Sequence, residues 1–562
     1  MIKPGGVQCC RKGGIMLETT KRSRMRLAAV RAAHALAVAA LCVCLAGIPR
    51  PALAQEEPAP ELIRIEGNTV KLPLQSVMFL ALKNNLQIAF QSLSPDITET
   101  EIMREESFYD PDFSLQYGKS RSVQQVGNYL TGAGADSVYQ QAWDLKMGVM
   151  KQFVTGTSAE LKWNATESKT DFVFQQLVPQ YKSDLTLNLT QPLLRDFGIE
   201  IGRSMIKIAN LNFEISQYEF KNQVMEILNG IEKSYWALYF QIKDYEAREK
   251  SLKAAEDLLR EFKIRIDAGT LAPIEIYQAE AEVAERKQDL IVAADLVKDT
   301  EDRLKTSLNL YDKKEYWDVQ IIPADDPRSG PVTVDLDQSL QEAFTYRPDY
   351  IQAKMDIEAR NIMVKYTKNQ TLPRVDLFGT LGTMGLAGRG NPDAASFGGG
   401  GIFNRNQDLA DTRWNDVADS MASGDYYNYA AGLKIQFPIG NRFAKSQYSR
   451  AKIESAQAAT FLKEVENNVI NDVRGAVRQI DTDIKRIEAA WATMRLADER
   501  LKAEQKKYAV GLSTTHDLLE FQDELAKAES RYAFAKASYE QNLADLARVK
   551  GMLLETFNIS ID

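Results

Sequence analysis

Tyr429-Ala430-Ala431-Gly432-Leu433-Lys434-Ile435-Gln436-Phe437-Pro438 is the stretch that decides how this chain is read. Tyr429, Ala431, Leu433, Ile435 and Phe437 alternate with Ala430, Gly432, Lys434 and Gln436, the period of a strand with one apolar and one polar face. Pro438 ends it, because proline fixes φ and has no N–H for a ladder. Almost at once a different grammar begins. From Phe443 to Ala509, 67 residues run without proline and with Gly475 as the lone glycine. As helix they would span about 100 Å. Alternation alone fits a half-buried strand of a soluble sheet as well as a lipid-facing barrel wall. The neighbouring helix tips the balance, since an uncapped pattern of that length suits a coiled coil or helical repeat better than a globule.

The same sentence is written twice in the chain. Leu185, Leu187 and Leu189 alternate with Thr186, Asn188 and Thr190 before Pro192, and a proline-free stretch of 67 residues follows from Gly202 to Ala268. Leu74-x6-Ala81 returns as Leu336-x6-Ala343 and Pro111 as Pro373, both shifted by 262. Pro192 is answered by Pro438 at a shift of 246, and Gly269 by Gly511 at 242. These landmarks keep one order: half-length helix, proline, strands, proline, long helix, glycine, half-length helix. The half-length helices of the first copy are predicted over 74–107 and 274–308, so two stacked end to end match one long helix in a rod of antiparallel helices. The division that follows is a first repeat over 55–310, a linker over 311–333 with Pro323, Pro327 and Pro331, a second repeat over 334–553 and a tail over 554–562.

Phe113, Leu115 and Tyr117 mark another strand, and an additional hairpin is suggested by 145–153 and 159–163 around Thr155-Gly156-Thr157. It belongs either to the sheet or to a loop. Residues 382–426, rich in Gly, Asn, Asp and Ser, read as a flexible surface connection. Their run Gly398–Gly401 lacks the following Lys-Ser/Thr of a phosphate-binding loop.

Residues 1–54 hold nine basic side chains and one acid, a Lys21–Arg26 cluster, an apolar stretch over 27–48 and Ala52-Leu53-Ala54, the pattern of a secretory signal. Met16 or Met25 could equally be its start. Removal of this segment would take away all four cysteines (Cys9, Cys10, Cys42, Cys44) and move the net charge from −8 to −16, leaving an exported chain of 508 residues without disulfides. So acidic a chain is a poor nucleic-acid binder. Beyond the N-terminus no apolar run reaches the ~20 residues of a membrane-spanning helix, which excludes a helical transporter but not a β-barrel. His516 alone would remain, so metal sites of the His/Cys type are not expected, and there is no Gly-x-Ser-x-Gly elbow for a nucleophile. No cofactor and no enzymatic activity are expected.

The turns after the long helices carry the candidate site. They read Ile266-Asp267-Ala268-Gly269-Thr270-Leu271-Ala272-Pro273-Ile274-Glu275 and Tyr508-Ala509-Val510-Gly511-Leu512-Ser513-Thr514-Thr515-His516-Asp517-Leu518-Leu519-Glu520. Helix capping accounts for both glycines and for an acid in the next first turn. Asp517 and Glu520, three apart, share a helix face.

The ordered set resembles the TolC-type outer-membrane efflux protein family over nearly all of the mature chain. The resemblance implies a mainly α fold with membrane β: a homotrimer whose strands close one outer-membrane β-barrel, continued by a periplasmic α-helical tunnel. It implies a passive exit duct in a Gram-negative outer membrane, working with a periplasmic adaptor and an inner-membrane pump in efflux or type I secretion. Asp517 and Glu520 fall on acidic rings that constrict the periplasmic entrance, Glu275 on an acidic latch position and Tyr508 on a gate tyrosine. Ser513 stands where the best-known members carry a latching arginine. Gly269, Thr270, Leu271, Gly511, Leu512 and Ser513 become tip residues facing the adaptor, and Pro111, Pro192, Pro373 and Pro438 strand–helix junctions. The family expects two strands per half, so the additional hairpin is a departure. The rivals are a periplasmic coiled-coil adaptor and a non-transport exported helical protein.

Overall fold

The computed structural model describes residues 68–127, 136–172, 175–268, 273–328, 330, 332–391, 412–510 and 512–560. The proposed signal segment 1–54, the run Gly398–Gly401 and the tip residues Gly269, Thr270, Leu271 and Gly511 lie outside them. The described elements belong to one unit, Ile63–Asp562. Its first half holds β1 (Thr69–Leu72), α1 (Leu74–Asn84), α2 (Leu86–Ser107), β2 (Asp112–Gln125), β3 (Ser137–Gln152), β4 (Ser158–Thr170), β5 (Leu177–Pro192), α3 (Ser204–Asp267) and α4 (Ile274–Ser307). Its second half holds β6 (Gln320–Pro323), α5 (Leu336–Tyr346), α6 (Pro348–Gln370), β7 (Arg374–Gly390), α7 (Trp414–Ser423), β8 (Tyr427–Gln436), α8 (Arg442–Ala509) and α9 (Thr515–Val549).

The long helices form as their sequences dictate. In α8, Val465, Val469, Val473, Val477 and Ile480 recur at three- and four-residue steps and are buried together. They pack on Tyr350 and Ala353 of α6 and on Tyr539, Leu546 and Val549 of α9, each buried Val contributing about 1.5 kcal/mol. No helix among the described residues is long and apolar enough to cross a membrane.

The single helix expected over 74–107 is broken, and the break is informative. Asn85 leaves helical geometry and its side chain accepts from the backbone N–H of Gln87 and Ile88, both at 2.9 Å, so it caps α2. Its amide also donates to the Ser307 carbonyl at the end of α4 (2.7 Å), which joins the two half-length helices end to end. Arg347 breaks α5 from α6 at the same shift of 262, followed by Pro348 at the first helical position. There the end of α9 arrives instead. Gly551, at φ +77°, lies so close to the Tyr346–Arg347 backbone that a Cβ would sit 2.8 Å from it.

The linker is more ordered than its prolines suggest: β6 pairs in parallel with β1, Thr69 opposite Gln320. Residues 382–426 need correction too. β7 runs on to Gly390, and α7 fills 414–423. The glycines that suggested a loop are points of close approach within a strand. A Cβ on Gly385 would meet the Val417 carbonyl of α7 at 2.4 Å, and one on Gly388 the Pro179 carbonyl at 2.4 Å.

Six strands form one antiparallel sheet in the order β2-β3-β4-β5-β7-β8. The additional hairpin, β3–β4, sits inside this sheet, between β2 and β5.

Candidate functional site

The register of the sheet sorts its side chains into transverse rows. Phe113, Val149, Leu161, Leu187, Leu381 and Tyr429 stand side by side across all six strands. The next row on that face is Leu115, Met147, Trp163, Leu185, Thr383 and Tyr427. Towards the loop end, Lys119, Trp143, Glu167 and Tyr181 share a row, so charges and amphipathic rings replace the aliphatic band. The opposite face is polar: Ser114, Gly148, Lys162, Thr186, Gly382 and Asn428 form one of its rows. Trp414 of α7 meets Tyr181 (5.0 Å between ring centroids), which places that helix on the apolar face near the loop end.

Phe113, Leu115, Leu433 and Ile435 are each more than half exposed, so nothing among the described residues covers the band at the edge strands. At the helix end, the β3–β4 turn is built into the strand–helix junction. Gly156 has φ +89°, and a Cβ there would meet the Asp196 carbonyl at 2.2 Å. Gly198 N–H donates to the Thr155 carbonyl (3.2 Å), and the Thr157 hydroxyl bonds Gln191. Of the junction prolines, Pro111 and Pro373 immediately precede β2 and β7, Pro192 ends β5, and Pro438 lies just past β8.

At the helix tips, Ala255, Leu258 and Phe262 of α3, Ala279 of α4, Leu501 of α8 and Leu518 and Leu519 of α9 form a buried cluster. Tyr508 packs against it, and its hydroxyl accepts from the Arg265 guanidinium (3.1 Å), which also lies over its ring. Asp517 is the third residue of a reciprocal cap: its N–H donates to the Thr514 hydroxyl (3.2 Å), while its carboxylate accepts from the Thr514 hydroxyl (2.6 Å) and N–H (3.3 Å). These bonds, the Thr514 hydroxyl first, hold the Asp517 carboxyl below the usual range. Capping therefore explains Asp517 more fully than the sequence suggested. Glu520 is exposed and has no hydrogen bond or ion pair among the described residues. Glu275 sits half-buried in the first turn of α4, Leu512 is exposed and His516 is exposed beside Asp517. The Ser513 hydroxyl, followed by Lys507, holds the Glu504 carboxyl below its usual range, so Ser513 serves its own turn.

The profile of the outer membrane efflux protein family matches residues 78–310 and 339–552. The chain belongs to the outer membrane efflux protein family. Outer membrane protein TolC of Escherichia coli (strain K12) is 22% identical over 223 residues, which are 38% of this chain and only 40% of that relative. Among solved structures, the CmeC outer membrane channel of Campylobacter jejuni is similar with a TM-score of 0.60 at 15% identity, covering 90% of this chain and 94% of that one. The MtrE outer membrane channel of Neisseria gonorrhoeae gives 0.57 at 17% identity, over 90% and 97%. VceC of Vibrio cholerae gives 0.58 at 15%, over 85% and 96%. Membership of the efflux family sets aside the rival readings of an adaptor and of a non-transport helical protein.

In this efflux-family chain the sequence reading overlooked four charged groups. Arg265, in the last turn of α3, is the donor to Tyr508. Arg286 is 5% exposed and bonds to Glu282, the Ser251 and Leu519 carbonyls and Gln522. Glu232 and Glu540 are 7% and 2% exposed, and Glu540 accepts from Arg328 N–H (2.7 Å). Burial first, then the charge of Glu540, pushes Glu232 up to about 7 from 4.5. Between those values the folded state keeps a proton that unfolding releases, so this group's contribution to stability falls as pH rises from about 4.5 to 7. Glu232→Gln is expected to stabilise the protein at pH 8 by about 2–3 kcal/mol relative to the parent, with little gain at pH 4.5. Thermal midpoints of both proteins at the two pH values check this; equal midpoints at pH 8 would show that the carboxyl is not held neutral.

Proposed function

We propose that this outer membrane efflux protein is the passive exit duct of a tripartite efflux or type I secretion assembly, driven by an inner-membrane pump through a periplasmic adaptor. The observation that carries the reading is the sheet: apolar on one face across every strand, polar on the other, and open at both edges. An open sheet edge is not viable in lipid, because its N–H and C=O groups find no partner. Three copies remove the edges by closing one barrel, with the apolar face towards lipid and the polar face towards a lumen. The long helices, α3 of 64 residues and α8 of 68, continue the duct about 100 Å into the periplasm. Residues 55–310 and 334–553 act as two structural repeats about the linker 311–333, a division supported by the helix breaks at Asn85 and Arg347. The duct needs no cofactor and performs no catalysis; it is a transport channel. Asp517 and Glu520, with Glu275 and Tyr508, constrict the periplasmic entrance, and the turns containing Gly269, Thr270, Leu271 and Gly511, Leu512, Ser513 meet the adaptor.

The mature protein, extracted from outer membranes in detergent, is expected to have the mass of three chains. A monomer with full pore activity in a planar bilayer would overturn this architecture.

A further inference from the structure

We propose that the hairpin β3–β4 is part of the barrel wall, so that each protomer contributes six strands and three protomers close an eighteen-stranded barrel through β2 of one copy and β8 of the next. This rests on the exit-duct reading and sets the width of the duct. Three independent features keep the hairpin in the wall. Its strands continue the apolar rows without a change of parity: Val149 and Leu161 stand between Phe113 and Leu187, and Met147 and Trp163 between Leu115 and Leu185. Its other face continues the polar rows, with Lys146 and Asn164 between Gln116 and Asp184. Its turn is seated in the junction between β5 and α3 by two glycines that no larger residue could replace: Gly156 against Asp196, and Gly202, where a Cβ would lie 2.0 Å from the Val154 carbonyl. A hairpin folded away as a surface loop would need none of these matches.

The two edges are made for each other. β2 starts next to Pro111 and β8 ends next to Pro438, so β8 of one copy laid against β2 of the next is antiparallel, with both prolines at one end. Pairing odd residues with odd residues sets Phe113 and Leu115 beside Leu433 and Ile435 and carries the apolar band across the seam. Barrel diameter grows roughly in proportion to strand number, so eighteen strands give a lumen about 1.5-fold wider than the twelve that would remain without the hairpin. The wider wall suits cargo bulkier than a small solute.

The test uses disulfides, since all four native cysteines lie at positions 9, 10, 42 and 44 and a chain cleaved after Ala54 has none. Ser114→Cys combined with Lys434→Cys or with Gln436→Cys covers the two same-parity registers that keep the prolines level. Oxidation of one of these pairs is expected to give covalent dimers and trimers on denaturing gels. Ser114→Cys with Thr186→Cys should give no intrachain disulfide, because two intervening strands hold those Cα atoms about 14 Å apart, twice the reach of the bond. An efficient 114–186 disulfide, or the absence of any intermolecular product from an intact trimer, would overturn the proposal. Electron microscopy of the unsubstituted trimer in nanodiscs gives a second readout, eighteen strands in section against twelve. Loss of the trimer itself in the cysteine-free parent would instead defeat the exit-duct reading, so the two failures are told apart by mass.

Discussion

Alanine at both Asp517 and Glu520 is expected to leave a trimer that still conducts but no longer prefers cations and is no longer blocked by multivalent cations from the periplasmic side. In the proposed threefold assembly these positions would supply six carboxylates around one narrow opening. Low-dielectric walls focus the field of such rings and concentrate counter-ions, as acidic rings do in cation channels. A fall of about tenfold in the cation-to-anion permeability ratio, the low end of what focused fields produce, is the expected size. The two residues should not contribute alike. Asp517 is engaged with Thr514 within its own protomer, and its lowered pKa keeps it charged. That capping bond favours the folded state above the usual carboxylate range and is lost as pH falls through it. Glu520 has no hydrogen bond or ion pair among the described residues, so Glu520→Gln alone should remove most of the block at little cost in stability. Asp517→Ala alone should lower the thermal midpoint slightly, as one half of the reciprocal cap with Thr514 is lost. Wild-type selectivity and block in the double variant would mean that both acids serve the helix and the constriction lies elsewhere.

What could be read in the sequence follows from the range of each interaction. The long helices were legible almost to the residue, 202–268 against Ser204–Asp267 and 443–509 against Arg442–Ala509, because proline and glycine punctuate locally. The break at Asn85 was not, although Asn is a strong capping residue. Leucine and other apolar residues continue on both sides of it, and only its bond to Ser307, 222 positions away, shows why the chain stops there. Glycines in β7 pointed to a loop because a small residue in a turn and one under a crossing helix look alike in a single chain. The hairpin β3–β4 was visible as alternation, but whether it joined the sheet depended on strand register, which no single strand encodes. The tip acids stood out only through resemblance to a family. Arg265, Arg286 and Glu232 left no signal, since on helices so rich in charge, burial of one side chain is decided by which other helix arrives beside it.

Arg286→Ala should produce the largest loss of stability of any single change in the helical part, about 3 kcal/mol, the lower end for breaking a buried charged network. From α4, its guanidinium donates to Glu282 on its own helix (2.7 Å), to the Ser251 carbonyl of α3 (3.0 Å) and to the Leu519 carbonyl (2.9 Å) and Gln522 (3.2 Å) of α9. One fork thus ties three helices together beside the cluster of Phe262, Leu518 and Leu519 that holds the tips. Lysine carries the charge but not the fixed fork, so Arg286→Lys should recover less than half of the loss. Arg286→Met keeps most of the packing volume and discards the charge. Because Glu282 is 28% exposed and can turn to water, the methionine variant should fall between parent and alanine. The expected readouts are a lowered thermal midpoint, faster proteolysis after Lys263 or Arg265, and a raised resting conductance from tips that no longer hold together. If Arg286→Ala matches the parent in all three, water fills the slot, the tips are held by their apolar cluster alone, and the guanidinium is a passenger.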